Sequence, residues 1–173
     1  SQLAEQLGLD ISTTKISAPE ETMHLPADTL GILPVNWAAD PQPSITDTRN
    51  AAAVIDAIRA AATFAQEGRA SAIVTSPIHK SVLIESGFEH PGHTEFLGSL
   101  APEREGGPVM MLACDALRVV PLTVHIAFRD VAKMLNSAEI VAKGRLLAEA
   151  LCDFFGVDNP RIAVCGLNPH AGE

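Results

Sequence analysis

RIAVCGLNPHAGE, residues 161–173, is the stretch on which the fold turns. Arg161 to Cys165 is an apolar run of strand length. It passes directly into a turn holding Asn168, Pro169, His170, Gly172 and Glu173. A buried strand that ends in a polar loop is how a parallel sheet presents functional groups, because ligands bind beyond the carboxyl ends of its strands. Two other stretches share the design: SAIVT (71–75) runs into TSPIHK (75–80), and LRVVPLTV (117–124) runs into TVHIAFRD (123–130). Each of the three loops carries a histidine, and in an α/β sheet such loops lie along one edge, where they can converge.

Helices fill the intervals. After Ser44–Thr48, apolar residues at Ala51, Val54, Ile55, Ile58, Ala61, Ala62 and Ala65 keep the helical period, and Gly68 stops it. KSVLIESG predicts a short helix stopped by Gly87, and GHTEFLGSLA opens another at Gly92–His93–Thr94. Ser137 begins a long amphipathic helix that Gly156 ends. A short helix before Gly8 and one or two short strands between Ile16 and Pro43 complete the first part. PVMMLA (108–113) and LRVVPLTV (117–124), separated by CDA, predict a hairpin, and HIAFRDVAKML predicts a short helix with Asp130 as cap. Alternating helices and buried strands with one hairpin define an α/β class with a mixed sheet flanked by helices.

The bulk numbers set bounds. A chain of 173 residues, 47% apolar and 19% charged, is long enough for one domain with its own core. A net charge of −9, from 12 basic and 21 acidic residues, argues against nucleic acid and against a membrane surface as partners. The odd cysteine count without C-x-x-C spacing (Cys114, Cys152, Cys165, all in apolar surroundings) predicts buried, reduced thiols. SQLAEQLGLD lacks the basic and apolar regions of a secretory leader, and no apolar run reaches membrane-span length, so a cytoplasmic location is expected.

Four histidines sit where chemistry is done. His125 and His170 each follow a predicted strand. Ligands from separate loops need no short spacing, so the pair suits a divalent metal; each taken singly is also a plain hydrogen-bonded loop histidine. Asn168 and Glu173 lie near His170. His93 and Thr94 open a helix, whose free N–H groups and dipole favour a phosphate or carboxylate. Capping accounts for Thr94 and Glu95 but not for His93. Lys80 is able to meet an anion at the same edge, with His79 beside it in a supporting place. Asp130, next to Arg129, reads as a cap with a local ion pair that adjoins the His125 loop. His24 and His90, among prolines, read as surface residues. There is no dinucleotide fingerprint, P-loop or G-x-S-x-G.

TSPIHK, GHTEFL, MMLA with LRVVPLTVHIAFRDV, and CGLNPHAGE together resemble the 4-hydroxythreonine-4-phosphate dehydrogenase family of pyridoxal phosphate biosynthesis, from about Ile45 to Glu173. The resemblance implies oxidation of 4-phosphohydroxy-L-threonine with NAD(P)⁺ and loss of CO₂ from the β-keto acid. It also implies a homodimer with an isocitrate/isopropylmalate dehydrogenase-like two-domain fold, and a divalent ion (Zn, Mg or Co) held by three histidines. His125 and His170 take the first two ligand positions, and His93 and Thr94 the substrate-binding positions. By the same resemblance residues 1–173 are the central part of such an enzyme. The family's glycine-rich GDPAGIG-type segment would precede them. The third histidine and a lysine, an asparagine and an arginine for the substrate would follow. Ser76 stands where the family has glycine. Two other functions compete: a dehydrogenase of phosphorylated threonate or erythronate, and a non-catalytic metal- or ligand-binding fragment.

Overall fold

The computed structural model describes residues 2–42, 44–103 and 107–171. They fall into two compact units, Ser1–Ala101 and Pro102–Glu173.

The first unit opens with helix α1 (Gln2–Gln6), followed by strands β1 (Ser12–Lys15) and β2 (Thr29–Ile32), which pair in parallel from Ser12 opposite Thr29 to Lys15 opposite Ile32. The crossover between them carries a single 3₁₀ turn, Pro19–His24, packed tightly onto β2. A methyl group on Gly31 would come within 2.9 Å of Thr22 Cγ2, so any larger residue would force the side chains packed there to shift. Arg69, just past the end of the next helix, grips Glu20 in that turn and holds its carboxyl down at about 2.

Helix α2 (Ala51–Gln66) is the predicted long helix. Its buried Ala51 and Ile58 pack with Leu83 of α3 (Lys80–Glu85), with Phe88, and with Phe96 of α4 (His93–Leu100). Leu83 is 3% and Phe96 2% exposed, which makes these helices the core of the unit. Buried Asn50 ties the preceding loop to α2: its Oδ1 accepts from the Ala39 N–H and its Nδ2 donates to the Ala39 carbonyl, each at 2.9 Å. At the far end of α4, Gln66 Nε2 donates to the Leu100 carbonyl at 2.6 Å. Gly68 and Gly87, the predicted stops, both have positive φ.

In the second unit the predicted hairpin is present and shorter: β3 (Leu112–Cys114) runs antiparallel to β4 (Leu117–Val119). A 3₁₀ turn, Phe128–Asp130, leads into α5 (Val131–Met134). Helix α6 (Ser137–Phe155) is capped by Asn136, whose Oδ1 accepts from the Glu139 N–H at 2.8 Å, and closed by left-handed Gly156. Lys143 on α6 donates to the Leu122 carbonyl at 2.6 Å, which anchors the segment leading to His125.

Two expectations need correction. The described residues form two separate two-stranded sheets, one parallel and one antiparallel, not one mixed sheet. SAIVT and RIAVC join neither; Val74 is 97% and Val164 71% exposed. An apolar run becomes a strand only when a neighbour supplies ladder partners, and among the described residues none does. The thiols also differ from expectation: all three are free, as predicted, but exposed. Cys114 lies on an uncovered hairpin and Cys165 in the unpaired run.

Candidate functional site

The N-terminus of α4 is the best-formed candidate site. Gly92 takes the cap position with extended backbone and offers no side chain, so Thr94 lies inside the first turn and is not the cap. The N–H groups of His93, Thr94 and Glu95 have no acceptor among the described residues, and only the Phe96 N–H closes the first helical bond, onto the Gly92 carbonyl. Such N–H groups and the helix dipole favour an anion. A methyl group on buried Gly92 would lie 3.5 Å from Lys80 Nζ and 3.4 Å from Glu95 Oε2. The fold thus brings Lys80, 12 positions earlier in the chain, beside the α4 entrance. Its ammonium forms no ion pair with any described residue, whereas Glu95 adds a negative charge at the same place. His93 is half-buried and Thr94 exposed. His79 makes a local contact only, Nδ1 to Ser81 Oγ at 3.1 Å.

The metal candidates lie in the second unit, and both are exposed. His125 has a φ of 58°, a left-handed conformation that non-glycine residues adopt seldom and that concentrates at functional sites. His170 sits in a tight turn in which Asn168 Oδ1 accepts its N–H at 2.9 Å and the Asn168 carbonyl accepts the Ala171 N–H. Asn168 therefore shapes the loop that presents His170. Asp130 pairs with Arg129 at 3.7 Å and Lys133 at 3.5 Å, so the predicted ion pair is present, but its side chain caps no backbone group. Gly172 and Glu173 lie outside the described residues. Imidazole is a suitable donor for zinc or cobalt, yet a closed site needs more than two. No three His, Cys, Asp or Glu gather among the described residues, so these residues do not make a metal centre by themselves.

Sequence reasoning missed two features. The approach of Lys80 to Gly92 leaves no mark in the sequence. His90, read as a surface residue, is half-buried against Phe88 and Phe96; the aromatic spacing in FEHPGHTEF was the available signal.

Helices alternating with short strands, and histidine-bearing loops at helix starts, define an α/β protein with a candidate anion site. The chain belongs to the family of the pyridoxal phosphate biosynthetic protein PdxA, which its sequence matches over residues 1–173. It is 47% identical over 161 residues to 4-hydroxythreonine-4-phosphate dehydrogenase of Roseobacter denitrificans, covering 92% of this chain and 49% of that protein. The Bradyrhizobium diazoefficiens protein of the same name is 44% identical over 173 residues, 99% of this chain and 50% of its own length. Among solved structures, a 4-hydroxythreonine-4-phosphate dehydrogenase from Klebsiella pneumoniae superposes with a TM-score of 0.80 at 30% identity, covering 94% of this chain and 49% of that one. One from Burkholderia phymatum gives 0.83 at 29%, covering 98% and 50%. The chain spans about half the length of the curated relatives it matches.

Proposed function

We propose that these residues serve a dehydrogenase that oxidises the secondary alcohol of 4-hydroxythreonine-4-phosphate with NAD(P)⁺, in cytoplasmic pyridoxal phosphate biosynthesis. The observation that carries the reading is the α4 entrance: free N–H groups, His93, Thr94 and the Lys80 ammonium, in a chain matched throughout by that family. His93 and Thr94 hold polar groups of the substrate, and Lys80 balances its negative charge. NAD(P)⁺ would take up the hydride. His125 and His170 are proposed as two ligands of a divalent ion (Zn, Mg or Co), the rest of the shell coming from outside the described residues. A homodimer with an isocitrate/isopropylmalate dehydrogenase-like fold, of which residues 1–173 are the central part, is the assembly this reading implies.

The test uses the chain extended to the relatives' full length. His125→Ala or His170→Ala should lower retained metal, measured by atomic emission, and cut turnover by roughly a hundredfold or more. His93→Ala should raise KM and leave bound metal unchanged. Full turnover in either ligand variant removes that residue from the metal shell. Phosphorylated threonate and erythronate, assayed beside 4-hydroxythreonine-4-phosphate, identify the substrate by the highest kcat/KM.

A second reading is that residues 1–173 alone bind metal or ligand without turning over. NAD(P)-linked activity in the 173-residue chain would exclude it.

A further inference from the structure

Helix α4 must hold His93 and Thr94 at a fixed angle, yet among the described residues no side chain caps its entrance. Gly92 has no side chain, and the N–H groups of the first turn lack acceptors among the described residues. The far end is secured by Gln66 on the Leu100 carbonyl, and the middle by buried Phe96. The chain enters through Glu89, His90 and Pro91, and of these His90 reaches back into the core. Its ring lies 5.3 Å from that of Phe88 and 5.2 Å from that of Phe96, while those two meet edge-on at 5.0 Å. The three rings close a triangle that joins the segment before the helix to the fourth residue inside it.

That contact has the logic of a hydrophobic staple, in which an apolar residue just before the cap packs on the fourth helical residue and fixes the entry angle. Here the outer partner is an aromatic ring two positions before the cap. Helix α4 has only eight residues, so a tilt at its entrance moves the whole first turn.

We infer that His90 is the positioning residue of the His93–Thr94 site: its ring, wedged against Phe88 and Phe96, sets the angle at which α4 presents those side chains to the substrate. The inference rests on the proposed role of His93 and Thr94. It assigns His90 no contact with substrate and no proton to carry. Its contribution is shape, so another aromatic ring should replace it.

The experiment measures KM and kcat for 4-hydroxythreonine-4-phosphate, with thermal unfolding, in the full-length chain bearing His90→Ala, His90→Phe, His93→Ala and the His90→Ala/His93→Ala pair. His90→Ala should raise KM by roughly tenfold and change kcat by less than about twofold, as expected of a displaced binding group. His90→Phe should return KM to within about twofold of the parent. The double variant should raise KM by clearly less than the product of the two single effects, because one of the two side chains that His90 positions is already gone. Multiplied effects in the double variant, or a His90→Phe protein as impaired as His90→Ala, overturn the inference. So does an unchanged KM in His90→Ala beside a raised KM in His93→Ala. An unchanged KM in His93→Ala instead overturns the site reading on which it rests. If His90→Ala does not fold, His90→Gln is measured in its place: a raised KM beside a parental KM in His90→Phe upholds the inference, and a parental KM in His90→Gln defeats it.

Discussion

The two units make opposite use of similar material. In the first, Leu83, Phe88 and Phe96 are buried against α2, and polar side chains tie the loops to that core. In the second, Ala142 is the single buried residue among those described, while Phe128 is 94% exposed and Phe154 also faces solvent. Apolar composition is therefore not burial. Three helices whose apolar stripes meet can enclose a core, whereas a lone hairpin and one long helix leave most of their apolar surface without a partner.

The sharpest way to break this contrast is a pair of truncations in the 173-residue chain. Phe96→Ala should cost about 3–5 kcal/mol in denaturant unfolding, because it empties a packed site. Phe128→Ala should change stability by no more than about 0.5 kcal/mol, as for other surface substitutions. Equal costs would mean that Phe128 is covered and that the contrast is false. Asn50→Ala comes next. It strands the Ala39 N–H and carbonyl in partly buried surroundings and should cost about 1–3 kcal/mol. Asn136→Ala, which uncaps α6, should lower stability by about 1 kcal/mol and reduce helicity measured by circular dichroism.

The smallest effect concerns Glu20 and Arg69 on the surface of the first unit. The Arg69 hydrogen bond depresses the Glu20 carboxyl from 4.5 to about 2. A depressed carboxyl stabilises the fold above its unfolded pKa, and that contribution fades as pH falls from about 4.5 towards 2. Glu20→Gln should remove the fade, so acid titrations of the two proteins converge at pH 2. Because the pair lies at the surface, the difference should be slight and shrink further in salt. Parallel titration curves over that window would show that the pair does not contribute.

The sequence by itself determined the helices, their stops at Gly68, Gly87 and Gly156, the hairpin, and the motifs that carry the family. Helical hydrogen bonds join residues four apart, and a hairpin turn joins neighbours, so the information is local. Only the tertiary structure decided the rest. RIAVC and SAIVT have the composition of strands, but a strand is made by a distant partner, which the run itself does not encode. The same holds for the α4 entrance, where Lys80 reaches Gly92 and His90 reaches Phe96 through the packing of α3 and α4. Thiol exposure likewise followed from which faces found a neighbour, not from the apolar residues beside each cysteine in the chain.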